Sequence, residues 1–182
     1  GKDQDMAEMT VIEHGAGGGA EVLTPGRRAV PEPAPGQVLV RVTAAGVNGP
    51  DVMQRQGLYP APPGASDLLG LELSGEIVAL GAEVSRWTVG DRVCALTKGG
   101  AYAEYACVDA AHCLPIPEGV DETDAAGLCE TYFTVWSNFF HGIDPAPGSR
   151  FLVHGGAGGI GSTAIQIGAA KGLEVFATAG SA

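Results

Sequence analysis

The chain has 182 residues, 45% of them hydrophobic, and carries 10 basic against 21 acidic side chains for a formal net charge of −11. That length and apolar content suit one or two compact soluble domains with an adequate core. The negative charge disfavours nucleic acid and anionic membrane surfaces as partners. No apolar run approaches the ~20 residues needed to cross a bilayer. The start, Gly1-Lys2-Asp3-Gln4-Asp5, lacks both the basic opening and the apolar core of a secretory signal.

In chain order, the first glycine cluster is Gly15 to Gly19, preceded by His14. Glu21-Val22-Leu23 and then Pro25-Gly26 follow it, which predicts a hairpin loop rather than a phosphate site. Val38 to Val42 after Pro35-Gly36 reads as a strand, as does Ser74 to Leu80 before Gly81. Val89-Gly90-Asp91 turns into a further strand, and Tyr102 to Val108 alternates with period two. Short strands between frequent Gly and Pro predict a β-rich, barrel-like domain over residues 1–120.

Cys94, Cys107, Cys113 and Cys129 contain no CxxC pair and no zinc-ligand spacing. With no export signal, they are expected to be free thiols in the cytoplasm. His14, His112 and His141 likewise lack metal-ligand spacing.

Pro115-Ile116-Pro117-Glu118-Gly119 marks a connector, because proline suits neither helix interior nor ladder. Asp121, Glu122, Thr123 and Asp124 supply N-cap candidates and first-turn charge for a helix from Ala125 to about Phe140. This helix begins a second domain, residues 121–182, and Pro147-Gly148 turns the chain into the strand before the glycines.

That strand enters the richest motif, Phe151-Leu152-Val153-His154-Gly155-Gly156-Ala157-Gly158-Gly159-Ile160-Gly161-Ser162. A pyrophosphate reaches backbone N–H groups at a helix N-terminus only where no side chain blocks it. Gly156, Gly158 and Gly161 satisfy GxGxxG, and Gly155, Gly158 and Gly161 satisfy GxxGxxG; the spacing does not choose between them. Ala164, Ile165, Ile167 and Ala169 give the following helix an apolar face, Gly172 closes it, and Leu173 to Thr178 resumes a strand. This is a βαβ unit of about 30 residues, the length that the fingerprint requires. The second strand ends in Thr178-Ala179-Gly180-Ser181. An NAD site commonly places a carboxylate there, whereas small uncharged residues do not repel a 2′-phosphate. NADP(H) is therefore expected over NAD(H), with Gly156, Ala157, Gly158, Gly159, Ile160, Gly161, Gly180 and Ser181 at the cofactor. A complete doubly wound sheet has about six strands, so one βαβ unit is expected to be the start of a longer domain.

The motifs together resemble the medium-chain dehydrogenase/reductase superfamily, and within it the zinc-free quinone oxidoreductase (zeta-crystallin-like) branch. The resemblance rests on Gly36 to Val42, Gly46-Val47-Asn48 with Asp51, Gly57-Leu58-Tyr59-Pro60, Gly70-Leu71-Glu72-Leu73-Ser74-Gly75, Val89 to Val93 and the glycine loop. It implies a GroES-like barrel domain followed by the first βαβ unit of a Rossmann domain. It also implies a parent protein of about 320 to 340 residues that reduces quinones with NADPH in the cleft between the domains and dimerises with itself.

Zinc-bearing relatives have cysteine at the position of Asn48 and Gly-His-Glu at Gly70-Leu71-Glu72, so no catalytic zinc is expected, and no four-cysteine lobe follows Arg92. By resemblance, Asn48 faces nicotinamide and substrate, Tyr59 lines the substrate side, and Thr134 contacts the cofactor. Each has a plainer alternative: a turn stabilised by Asn48, an ordinary loop aromatic, and a hydroxyl bonded back to its own helix. Met53 stands where some relatives have a cofactor-contacting tyrosine. His154 suits packing beside the loop better than base catalysis. An enoyl reductase of the same superfamily, a non-catalytic NADPH-binding protein and an inert fragment are the alternative functions.

Overall fold

The computed structural model describes residues 7–180. The N-terminal five residues discussed above and Ser181 lie outside them. The chain divides into two compact units, one ending at Leu128 and one beginning at Cys129.

In the first unit, β1 (Glu8–Glu13) and β2 (Thr24–Ala29) pair antiparallel, from Glu8 opposite Ala29 to Glu13 opposite Thr24. The first glycine cluster is the connection of this hairpin, as expected. Gly17 takes φ +92° there, and a Cβ would come within 2.8 Å of the Arg55 carbonyl oxygen. Next come β3 (Gln37–Ala45), α1 (Gly49–Arg55), β4 (Glu72–Leu80), β5 (Arg92–Leu96), β6 (Tyr105–Asp109) and β7 (Cys113–Pro115). The strands form one antiparallel sheet in the order β6-β3-β4-β5-β7.

Alternation in these strands builds the core. Val38, Val40, Leu73, Ile77, Val93 and Val108 are buried together, each contributing roughly 1.5–3 kcal/mol of apolar burial. β6 starts at Tyr105 rather than at Tyr102. Residues 102–104 serve the hairpin instead: Ile12 N–H bonds Tyr102 O at 2.9 Å, and Glu104 N–H bonds Thr10 O at 3.0 Å.

The helix expected from Ala125 to Phe140 is divided. α2 (Glu122–Ala125) is capped by Asp121, whose carboxylate accepts from Asp124 N–H at 2.8 Å. α3 (Cys129–Val135) follows and runs into a π-helical turn over Trp136–Phe140. Two side chains hold α2 to the barrel: Ser74 Oγ donates to Glu122 O, and Arg92 pairs with the Glu122 carboxylate. The compact unit therefore extends to Leu128, eight residues beyond the boundary at residue 120 that the prolines suggest.

The second unit continues with β8 (Arg150–Val153), α4 (Gly159–Ala170) and β9 (Glu174–Ala177). β8 and β9 pair parallel, Arg150 opposite Glu174 through Val153 opposite Ala177. Phe151 stacks on Phe139 at 4.1 Å between ring centres, and Val153, Ala164 and Leu173 complete the apolar layer beneath α4. Gly168 lets α4 approach the sheet, since a Cβ would lie 2.9 Å from the Phe151 ring.

Candidate functional site

The glycine loop joins β8 to α4, and its glycines meet different demands. Gly155 has φ +71°, a left-handed conformation that few side chains tolerate. Gly156 donates its N–H to Thr178 O at 2.8 Å, and a Cβ there would sit 2.9 Å from that of Ala177. Gly158 is the N-cap of α4. A Cβ on Gly161 would collide with the Gly155 carbonyl oxygen. Both fingerprint registers are thus in use: Gly155 and Gly156 shape the turn, Gly158 opens the helix, and Gly161 lets the loop fold against it.

Helix geometry leaves the N–H groups of Gly159, Ile160 and Gly161 without an intrahelical acceptor. The first turn of α4 carries no acidic side chain, so the positive end of the helix dipole is unopposed. Such a cradle, kept open where side chains would fill it, fits a pyrophosphate. Ala157 and Ile160 are exposed on it. At the end of β9 the described residues through Gly180 include no carboxylate, and Glu174 pairs with Arg150 at the strand's beginning, at 3.2 Å.

Thr178 is a member of this site that the sequence pattern did not single out. Its Oγ1 accepts from Gly155 N–H at 3.2 Å and lies 3.2 Å from His154 Nδ1. Its N–H bonds Val153 O at 3.0 Å. One residue thereby fastens the end of β9 to the loop. His154 is exposed and serves this contact, in keeping with a packing role beside the loop.

Asn48 lies in the first unit, at the N-cap of α1. Its backbone N–H donates to Asp51 Oδ2 at 2.9 Å and its side-chain Nδ2 donates to Glu72 Oε1 at 2.8 Å. Asp51 and Glu72 are each only 2% exposed. Burial on that scale requires hydrogen-bond partners. Asp51 has them: Gly70 N–H reaches Oδ1 at 3.0 Å, and Tyr102 O–H reaches Oδ2 at 3.3 Å. Burial, then the neighbouring Asp51 charge, pushes the Tyr102 hydroxyl far above the ordinary tyrosine range, so Tyr102 stays a neutral donor. Gly46 and Gly70 are glycines for steric reasons, because Cβ atoms there would collide with the Glu72 carboxylate and with the Ala101 and Tyr102 side chains. A signal for this network was present in the sequence: Glu72 is a charge between Leu71 and Leu73, and Asp51 stands three residues after Asn48, the spacing of a helix cap.

Tyr59 follows α1 and is 47% exposed; Val47, Val52, Met53 and Leu58 on the same segment are also exposed. Thr134, in α3, donates its hydroxyl to Glu130 O. The back-bonding alternative is realised there, and the lone pairs of Thr134 alone are left for a ligand.

A separate groove of about 390 Å³ in the first unit is lined by Arg28, Ser66, Lys98, Cys107, Asp109 and His112 among others, and by none of these site residues. Among the described residues, no group of three or more His, Cys, Asp or Glu side chains could hold a metal ion, and no helix is long and apolar enough to cross a membrane.

Residues 34–118 match the alcohol dehydrogenase GroES-like domain. Over 178 residues the chain is 40% identical to the quinone oxidoreductase of Rattus norvegicus, covering 97% of this chain and 53% of the relative. The solved structure of the human synaptic vesicle membrane protein VAT-1 homolog-like protein superposes with TM-score 0.86 at 33% identity, over 96% of this chain and 57% of that one. The CurK enoyl reductase structure does so with TM-score 0.83 at 30% identity, over 94% and 54%. The chain spans 53% of that quinone oxidoreductase, 41% of the VAT-1 homolog of Rattus norvegicus and 7% of a mycocerosic acid synthase-like polyketide synthase of Mycolicibacterium smegmatis. Residues 34–118 thus form a GroES-like domain, and over nearly its whole length the chain is homologous to quinone oxidoreductases and VAT-1 homologs of the medium-chain dehydrogenase/reductase superfamily.

Proposed function

We propose that the full-length protein containing this chain is an NADPH-dependent quinone reductase that works without zinc. The observation that carries the cofactor reading is the loop at α4, where Gly161 packs against the Gly155 carbonyl and the first helical turn carries no acidic side chain. The preference for NADPH is supported by the uncharged end of β9. The zinc-free reading is supported by Asn48 and Leu71 at positions where zinc-bearing relatives carry ligands, and by the engagement of Asn48 with Glu72. Likeness to the rat quinone oxidoreductase supports the acceptor.

When bound, the reduced nicotinamide supplies a hydride. The protein's residues would bind and align: Gly156 to Gly161 would hold the pyrophosphate, and Gly180, with Ser181 as the next residue in the chain, would supply the ribose-phosphate end. Thr134 would contact the cofactor. Asn48 faces the reacting atoms, and Tyr59, with the exposed apolar side chains of residues 47–58, offers a quinone a flat, apolar wall. An electron-poor quinone needs no Lewis acid, so alignment in a water-poor site supplies most of the rate. Proton delivery falls to Tyr59 or solvent.

The likeness to CurK enoyl reductase favours a second reading, reduction of an activated double bond. NADPH consumption by the full-length protein with an ortho-quinone and with an enoyl thioester separates the two. Turnover of the quinone is expected; turnover of the thioester alone assigns the second activity. Tight NADPH binding without turnover of either assigns a non-catalytic binder.

A further inference from the structure

Asn48 forms a capping box with Asp51 at the start of α1, and its side-chain bond to Glu72 turns the nitrogen end of its carboxamide toward the sheet. Glu72 Oε1 accepts from Nδ2 at 2.8 Å. Turning the amide over would set its oxygen, in place of an N–H, against that Glu72 oxygen. The neighbouring supports are rigid. Asp51 holds the Asn48 backbone at 2.9 Å, and only a glycine at residue 46 leaves room for the Glu72 carboxylate. Glu72 itself is 2% exposed and lies on β4, in the middle of the sheet.

We propose that Glu72 is a positioning residue that acts through Asn48. By holding Nδ2 inward, it keeps the carboxamide oxygen, which also faces the Asp51 backbone N–H in the capping box, as the acceptor offered to an N–H or O–H of the bound reactants. This rests on the reading of Asn48 as the group facing nicotinamide and substrate. The buried carboxylate touches neither reactant. Its part is to remove one of two amide orientations, so that the site is set before the reactants bind.

The test is a double-mutant cycle on quinone reduction by the full-length protein, with Glu72→Gln, Asn48→Ala and the pair. Glutamine keeps the shape but can offer either oxygen or nitrogen, so both Asn48 orientations become available. Glu72→Gln is expected to lower kcat by about tenfold with the KM for NADPH changed less than about threefold. In the Asn48→Ala background the same change is expected to alter kcat by less than about twofold. Equal losses in both backgrounds, or a kcat for Glu72→Gln within about twofold of wild type, overturn the proposal. A wild-type protein inert to quinones, or Asn48→Ala as active as wild type, overturns the reading of the site and the proposal with it. Should Glu72→Gln fail to fold, Glu72→Asp replaces it: the shortened carboxylate cannot span to Nδ2 with the same geometry, and the same dependence on Asn48 is expected.

Discussion

The carbonyl oxygen of Gly155 occupies the space that a Cβ on Gly161 would need. Loop and helix are therefore joined by a steric requirement as well as by hydrogen bonds. Gly161→Ala is expected to destabilise the fold by ~1–3 kcal/mol, as overpacking does, and to weaken NADPH binding at least about tenfold, or ~1.4 kcal/mol. Gly158→Ala separates the two effects. Its Cβ would meet nothing nearer than the Gly155 oxygen at 3.5 Å, so the melting temperature should hold while NADPH affinity falls. Thermal melts and fluorescence titration of the full-length variants read both quantities.

Thr178→Val removes the hydroxyl that accepts from Gly155 N–H while keeping the shape of the side chain. One ordinary hydrogen bond is worth ~0.5–1.5 kcal/mol. NADPH affinity should fall about three- to tenfold, with little change in the affinity for quinone. An unchanged NADPH titration would show that β9 does not set the loop's conformation.

The glycine loop was legible because a tight turn from strand into helix demands glycine at fixed spacing, and the strands were legible where Val38, Val40 and Ile77 alternate or cluster. The ends of elements were not. β6 begins late because Tyr102 and Glu104 pair with β1, a long-range choice that period-two alternation cannot express. The helix from Ala125 divides near Gly127, and α2 joins the barrel through Arg92 and Ser74. Asn48, Tyr59 and Thr134 were named by resemblance, whereas Thr178, Asp51 and Tyr102 act through partners 19 or more residues away, except for the short cap between Asp51 and Asn48.

Acid should loosen the first unit in particular. Arg28 holds the Glu13 and Asp67 carboxyls below their ordinary range, Lys98 does so for Asp109, and Arg92 for Glu122. A carboxylate held down in the folded state stabilises the fold above its unfolded value, ~4, and stops doing so as the pH falls through the folded value. Stability in urea should therefore be level near neutrality and decline below about pH 4. These pairs are partly exposed, so Arg92→Ala should cost no more than ~1 kcal/mol near neutrality. It should also reduce the dependence on acid; an identical acid decline in the variant would contradict the assignment of Glu122.

Native thiols should react slowly. Cys94, Cys113 and Cys129 are buried. Burial raises the Cys113 thiol to about 12 and that of half-buried Cys107 to about 11, which leaves little thiolate near neutrality. Labelling of this chain under denaturing, non-reducing conditions should count four free thiols, and native labelling should reach Cys107 first. Rapid native labelling of Cys113 would contradict its place in the core.

The most direct test of the central claim is anaerobic mixing of the full-length protein with equimolar NADPH and an ortho-quinone, following loss of reduced-nicotinamide absorbance together with hydroquinone formation. The account predicts stoichiometric two-electron reduction, faster with NADPH than with NADH, unaffected by a chelator and slowed at least about tenfold by Asn48→Ala. NADPH that binds but is not consumed with any quinone, or consumption abolished by the chelator, would contradict it.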